Sequence, residues 1–155
     1  MARKALKELI IGDMEISDLP EVVGIELESF TTPWPETLFY NEIHKQRAIA
    51  KTARIGGRVI GYICAEQIID EGHILDLAVH PGFRRRGIAA RLVGEIIDCM
   101  ENNKCGIIFL ETRASNDAAT RLYERFEFKV LGRRKRYYTS PVEDAVIMAL
   151  KIDTG

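Results

Sequence analysis

The stretch that decides the fold is residues 75–89, which reads Leu75-Asp76-Leu77-Ala78-Val79-His80-Pro81-Gly82-Phe83-Arg84-Arg85-Arg86-Gly87-Ile88-Ala89. It begins as an apolar strand, which Pro81 ends because proline has no backbone N–H for a sheet ladder. A loop rich in Gly and Arg leads from there into a helix whose apolar residues recur at helical spacing from Ile88 to Met100. Free backbone N–H groups, the helix dipole and guanidinium groups meet at this junction, which predicts a turn that binds a diphosphate.

The same turn has two other interpretations. The spacing from Gly82 to Gly87 is that of a P-loop, but Ile88 and Ala89 stand where Lys and Ser or Thr would hold the γ-phosphate and Mg²⁺. This argues against nucleotide hydrolysis. A turn of three solvated arginines without any ligand explains the same residues, and the pattern alone leaves that alternative open.

The segments on either side of this stretch alternate between strand and helix signals. Strands are predicted at residues 8–12, 49–55, 59–68, 72–79, 106–112, 128–138 and 144–151. Four helices are predicted. The first begins at Asp18, the second runs from Pro35 to about Gln46, the third begins at Ile88, and the fourth begins after an Asn116 cap. Gly56-Gly57 predicts a tight hairpin turn. The order β-α-α-β-β-β-α-β-α-β-β predicts an α/β fold with a mixed central sheet flanked by helices.

Length and composition limit the possible classes. A chain of 155 residues suffices for one domain, residues 1–155. With 46% hydrophobic and 29% charged residues, it is neither fibrous nor disordered. The net charge of -1 argues against direct nucleic-acid binding through a general basic field. The uncharged stretches are far shorter than the roughly 20 residues of a membrane span, so we expect no membrane insertion.

Cysteines, histidines and the N-terminus indicate no metal and no export. The three cysteines lack a CxxC pair and are expected to be buried, reduced thiols: Cys64, Cys99 and Cys105. The three histidines lack the spacing of metal ligands: His44, His73 and His80. The basic residues near the N-terminus are not followed by an apolar run of signal-peptide length. We therefore expect a cytoplasmic protein without a metal.

Residues 84–89 resemble the R/Q-x-x-G-x-G/A acetyl-coenzyme A signature of the GNAT acetyltransferases. Further segments resemble the RimI-type ribosomal-protein-alanine N-acetyltransferases within that superfamily. They are residues 30–34 with Phe39, residues 110–116, 122–124, 133–138 and 143–145. Together these segments extend the resemblance along almost the whole chain.

The resemblance implies a role for individual positions. The backbone of one strand segment would pair with the pantetheine arm of acetyl-coenzyme A: Leu77, Ala78 and Val79. The following segment would hold the pyrophosphate: Arg85, Arg86, Gly87, Ile88, Ala89 and Ala90. Asn116 would contact the coenzyme, Glu111 would be the general base and Tyr123 the general acid. Two positions depart from the family pattern, because Ala89 replaces the commoner second Gly and Glu127 stands where a Gly usually precedes the next strand.

Acetyl transfer from a thioester to an amine makes sense of these residue types. The amine must lose a proton and the departing thiolate must gain one. Glu111 ends a predicted strand, where its alternative role is an ion pair with Arg113 or a neighbour. Tyr123 lies on the inward face of a predicted helix, where its alternative role is that of a core tyrosine. Asn116 can cap a helix and contact a coenzyme at the same time.

The predicted acceptor site lies near Trp34 and Tyr138. Trp34 is the only tryptophan, in a Pro-flanked loop, and is either a wall of the acceptor groove or a plug over the core. The run 133–136 is basic and is either a solvated edge or a docking surface for a charged macromolecule.

The predicted function is transfer of acetyl from acetyl-coenzyme A to a protein N-terminus, with a small ribosomal subunit protein beginning with Ala as the leading substrate. Two alternatives stay open at this point. One is an N-terminal acetyltransferase of broad specificity. The other is a non-catalytic acetyl-coenzyme A sensor or ribosome-binding module.

Overall fold

The computed structural model describes residues 8–152 and contains seven strands and four α-helices in this range. The strands are β1 Ile10–Asp13, β2 Ala48–Ile55, β3 Arg58–Ile68, β4 Glu71–Val79, β5 Ile107–Arg113, β6 Lys129–Thr139 and β7 Val142–Lys151. The helices are α1 Leu19–Ser29, α2 Glu36–His44, α3 Ile88–Asn102 and α4 Asp117–Arg125. The predicted α/β order is confirmed. None of these helices is long and apolar enough to cross a bilayer.

The strands form one mixed sheet in the order β1-β2-β3-β4-β5-β7-β6. Only β4 and β5 are parallel, and they pair over a short segment from Glu71–Ile107 to His73–Phe109. Beyond His73 the two strands separate. The sheet therefore opens into a cleft between the carboxyl-terminal halves of its two central strands.

Two apolar clusters lie on opposite faces of the sheet. One contains the buried residues of α3 and α4, and the other contains those of α1 and α2. Neighbouring residues of β3, such as Ile63 and Cys64, belong to different clusters because successive strand side chains point to opposite faces. The α3 stripe is buried in the core, as its helical spacing predicts.

A bulge in β4 changes which side chains face the α1 side. Ala65 pairs with Ile74 and Cys64 pairs with Asp76, so Leu75 is the extra residue. Ile74 joins the cluster beneath α3, whereas Asp76 is oriented toward Glu26 of α1. The bulge thus places a carboxyl group at the base of the cleft.

Several local predictions are corrected by the structure. Pro35 is the cap before α2 and not its first residue, and the helix ends at His44 and not near Gln46. Asp18 precedes α1, but its carboxylate binds Arg54 and the Glu15 N–H instead of capping that helix. Of the free cysteines, Cys99 is only half-buried.

The turn after α4 explains why the family pattern usually has Gly at the position of Glu127. Glu127 has φ 70°, in the left-handed region that glycine adopts without a Cβ penalty. A non-glycine residue in this conformation costs roughly 1–2 kcal/mol. The turn forms nonetheless, because the Phe128 N–H donates to the Tyr123 carbonyl at 3.1 Å.

Candidate active site

A cavity of about 420 Å³ occupies the cleft between β4 and β5. Helix α1, the loop after it, both central strands, α4 and β6 all contribute to its lining. The polar and aromatic side chains around it include Glu26, Trp34, Asp76, Glu111, Tyr123 and Tyr138. Both predicted proton-transfer residues therefore line one cavity, together with both predicted acceptor residues.

Glu111 of β5 is paired with a residue that sequence reasoning did not select. Its Oε2 lies 2.6 Å from Nε2 of His73, so the imidazole donates to the carboxylate. The predicted alternative, a carboxylate paired with Arg113 or a neighbour, is met by a neighbour and not by Arg113, which binds the β6–β7 turn and Glu143 instead. Strand register explains the pair: His73 is opposite Phe109, whose side chain shares a face with that of Glu111 two residues later.

Tyr123 is held rigidly at the cavity by packing. Its ring is buried and meets Phe128 edge-on, with 5.4 Å between the ring centroids. Burial, and next the charge of Asp76, raise the pKa of its hydroxyl above the ordinary value. The phenol therefore keeps its proton at neutral pH and can donate it into the cavity.

Asn116 lies where β5 leads into α4. Its Oδ1 accepts a hydrogen bond from the Ala119 N–H at 3.1 Å, as an N-cap does. The predicted helix cap is confirmed. The same side chain lies on the cavity wall, where a coenzyme contact is also possible.

The turn before α3 has the backbone shape of an anion cradle. Arg85 and Gly87 both have positive φ, at 62° and 78°. The first bond of the helix runs from the Arg91 N–H to the Gly87 carbonyl, so the N–H groups of residues 88–90 have no partner within the helix. A Cβ built on Gly87 meets no atom within 4 Å. The approach to these donors is open and fits the diphosphate of a coenzyme.

The arginines of this turn differ in their roles. The guanidinium group of Arg84 is engaged in a hydrogen bond within the protein, because its Nε donates to the Val79 carbonyl at 3.0 Å. Arg86 is half-buried with its guanidinium 5.2 Å from the Phe83 ring centroid, and Arg85 is exposed. Arg85 and Arg86 therefore remain available to an anion.

The strand segment predicted to bind the pantetheine arm borders the opening. Leu77 lines the cavity, whereas Ala78 and Val79 are buried. The Val79 carbonyl is already occupied by Arg84. Leu77 is thus the member of this segment with a side chain in the cavity.

The two predicted acceptor residues line the cavity as two walls that come from different elements, the α1–α2 connection and β6. Trp34 is half-buried against Phe39, with 5.2 Å between ring centroids. Tyr138 is half-buried beneath the Arg113 guanidinium, which lies 4.3 Å from its ring centroid. Burial raises the pKa of Tyr138 to about 12.

A polar bridge joins these two walls. Arg113 donates to the Ser140 carbonyl at 3.1 Å and the Pro141 carbonyl at 3.0 Å, and the Thr31 hydroxyl donates to Ser140 at 2.8 Å. The basic run 133–136 lies on the exposed edge of β6, where Arg133 is 3.6 Å from Asp144. Within residues 8–152 no three His, Cys, Asp or Glu side chains are grouped to hold a metal ion.

Comparisons with known proteins agree with one another. A family model described as acetyltransferase (GNAT) family matches residues 19–128. The [ribosomal protein bS18]-alanine N-acetyltransferase of Escherichia coli K12 is 33% identical over 144 residues, covering 92% of this chain and 97% of that protein. The crystal structure of the ribosomal-protein-S18-alanine N-acetyltransferase from Escherichia coli has a TM-score of 0.88 at 32% identity, covering 95% of this chain and 96% of that one. Arabidopsis thaliana NAA60 in complex with acetyl-CoA has the same fold, with a TM-score of 0.85 at 22% identity over 93% and 98% of the chains.

Proposed function

The chain belongs to the GNAT acetyltransferase family, and on that premise we propose that it acetylates the N-terminal α-amine of a ribosomal protein of the small subunit, bS18 or its counterpart, that begins with alanine. The observation that carries the proposal is the presence of Glu111 and Tyr123 in one cavity between the separated central strands. We place this activity in the cytoplasm, and we treat residues 1–155 as a single catalytic domain.

The proposed binding of acetyl-coenzyme A uses two parts of the chain. The turn at Arg85–Ala90 would receive the pyrophosphate through backbone N–H groups and guanidinium groups. Residues 77–79 of β4, where the Val79 carbonyl already accepts from Arg84, would receive the pantetheine arm, and Asn116 would contact it from the start of α4. Bound acetyl-coenzyme A would supply the acetyl group as a thioester.

The proposed chemistry divides proton transfer between two residues. Glu111 takes the proton of the acceptor amine, directly or through a water molecule, so that the amine attacks as a neutral nucleophile. His73 holds the Glu111 carboxylate in place through their 2.6 Å hydrogen bond. Tyr123, which keeps its proton at neutral pH, donates it to the departing thiolate.

Replacement of Tyr123 by Phe is expected to lower kcat about tenfold or more, because the thiolate loses its proton donor. The fold is expected to stay intact, since the ring and its contact with Phe128 remain. Steady-state kinetics with thermal unfolding would measure both effects. Tyr137→Phe is a suitable control because Tyr137 is an exposed residue of β6. Wild-type turnover in Tyr123→Phe would contradict the proposed acid role.

The acceptor site should favour a chain end over an internal lysine. In the proposed complex the acceptor enters between the walls at Trp34 and Tyr138, and a lysine within a chain carries backbone in both directions that would collide with them. A peptide with a free N-terminal Ala and an internal Lys should therefore be acetylated mainly on its terminus. Mass spectrometry locates the acetyl group, and modification mainly on the lysine would exclude N-terminal transfer.

The same assay separates the proposal from its two alternatives. Hexapeptides that differ in their first residue would all react with an enzyme of broad specificity, whereas the proposed enzyme prefers Ala or Ser. A non-catalytic sensor would bind acetyl-coenzyme A and turn over none of them. Trp34→Ala should reduce peptide turnover more than it reduces coenzyme binding.

A further inference from the structure

The buried carboxyl group of Glu26 links three parts of the acceptor wall. Its Oε2 accepts a hydrogen bond from the Trp34 backbone N–H at 2.9 Å, and its Oε1 accepts one from the Tyr62 hydroxyl. The Tyr62 ring meets Phe39 edge-on at 5.5 Å, and Phe39 packs against the Trp34 indole at 5.2 Å. Glu26 therefore holds the backbone of Trp34 directly, and it holds the indole through Tyr62 and Phe39.

Asp76 of β4 lines the same cavity as Glu26 and is oriented toward it. It is 9% exposed, and its Oδ2 has no hydrogen-bond partner among residues 8–152. A proton on Asp76 would supply the missing hydrogen bond, because the protonated carboxyl group donates to the Glu26 carboxylate. Burial, and next the hydrogen bond with Glu26, raise the pKa of Asp76 to about 9.

We propose that Glu26 and Asp76 share one proton and act together as a positioning pair, which fixes the Trp34 wall against strand β4 and sets the affinity for the acceptor peptide. In this arrangement Glu26 is the ionised member, since it accepts from Trp34, Tyr62 and Asp76. The part of this proposal that concerns the peptide rests on the proposed function; the part that concerns the wall does not.

The position of the pair in the chain supports this role. Trp34 belongs to the connection between α1 and α2, which is not part of either helix. Asp76 immediately precedes Leu77, where the proposed coenzyme-binding segment begins. In the proposed pair, a hydrogen bond between the two carboxyl groups would set the distance between the acceptor wall and the coenzyme strand.

Paired substitutions at Asp76 test the wall without any assay of activity. Asp76→Asn retains an N–H donor toward Glu26, whereas Asp76→Ala leaves that carboxylate with one donor fewer. Trp34 is the only tryptophan, so intrinsic fluorescence reports on this wall alone. We expect acrylamide quenching of Trp34 to rise in Asp76→Ala and to stay at the wild-type level in Asp76→Asn. Equal quenching in all three proteins, or an equal rise in both variants, would overturn the proposal.

A further variant controls for general loss of stability. Val93→Ala removes buried volume from α3, in the core cluster on the other face of the sheet. It should lower the melting temperature without raising the quenching of Trp34. If Asp76→Ala does not fold, Tyr62→Phe replaces it, because this variant removes one donor to Glu26 and keeps the ring beside Phe39. Tyr62→Phe should then raise the quenching, and unchanged quenching would count against the proposal.

Kinetics test the consequence for the acceptor. Asp76→Ala should raise KM for an N-terminal Ala peptide about three- to tenfold, the range expected for one lost hydrogen bond. KM for acetyl-coenzyme A should stay within about twofold, and Asp76→Asn should restore the wild-type peptide KM. If the wild-type protein acetylates no N-terminal peptide, the proposed function fails while the fluorescence result still decides the role of the pair. A normal peptide KM in Asp76→Ala would overturn the claim about affinity.

The shared proton also has a pH signature. The groups facing Asp76 are Glu26 from α1, Tyr62 and Cys64 from β3, and Tyr123 from α4. Because the pKa of Asp76 is raised in the folded protein, unfolding releases a proton between its ordinary value of 3.8 and about 9. Its contribution to the free energy of unfolding is therefore full below this range and declines as the pH rises through it. Asp76→Asn should have a shallower decline, and an identical pH dependence in both proteins would contradict proton sharing.

Discussion

Replacement of Glu111 by Gln is expected to lower kcat for peptide acetylation about a hundredfold or more, the range for loss of a general base. The amide has the same size and still accepts a hydrogen bond from His73, so the geometry of the pair is kept. It no longer takes a proton from the amine. The ascending limb of the pH profile of kcat should be lost as well, because the base that produces it is absent.

The measurement combines stopped-time kinetics across pH with calorimetry of acetyl-coenzyme A binding. Coenzyme affinity should change less than about twofold, because the base acts in the chemical step and not in binding. Glu124→Gln is a matched control, since Glu124 is an exposed residue of α4 one position after Tyr123. A Glu111→Gln variant with the wild-type rate and pH profile would show that another group removes the proton.

The order of the elements could be predicted because each has a strong local signal. The apolar stripe from Ile88 to Met100 has helical spacing, and it forms the most deeply buried part of α3. Gly56 and Gly57 both have positive φ in the observed hairpin turn, as a glycine pair between two strands predicts. These signals depend on neighbouring residues, which the sequence displays directly.

The partner of Glu111 could not be predicted in the same way. His73 and Glu111 are 38 residues apart, and they meet only because β4 and β5 are parallel neighbours with one particular register. The sequence offers Arg113 or another neighbour as partner, because only residues close along the chain are visible in it. Arg113 instead reaches the β6–β7 turn, whose position depends on how the last two strands fold back on β5.

The Glu26–Asp76 pair was hidden for a different reason. In a regular strand Asp76 would share a face with Ile74, and the alternation of β4 gives no sign that it does not. The bulge at Leu75 separates the two, so that Ile74 faces α3 while Asp76 faces Glu26. One inserted residue thus moves a carboxyl group to the other side of the sheet, and only the observed register with β3 reveals it.

Replacement of Gly87 by Val is the second substitution with a large expected effect. Gly87 has φ 78° at the start of α3, and the space where a Cβ would lie is empty of protein atoms. In the proposed complex this space receives the diphosphate, so a valine side chain would keep the phosphates from the backbone donors of the helix. We expect the Kd for acetyl-coenzyme A to rise about thirtyfold or more, because each charged hydrogen bond lost is worth about 1.5–3 kcal/mol.

Gly57 provides the matched control for backbone strain. It has φ 79° in the β2–β3 turn, and a Cβ there also meets no atom within 4 Å. Valine costs roughly 1–2 kcal/mol at either position because of the left-handed backbone. Both variants should therefore lose similar stability in thermal unfolding, but only Gly87→Val should lose coenzyme affinity by calorimetry. Unchanged affinity in Gly87→Val would show that the coenzyme phosphates bind elsewhere, and equal losses in both variants would assign the effect to strain and not to the cradle.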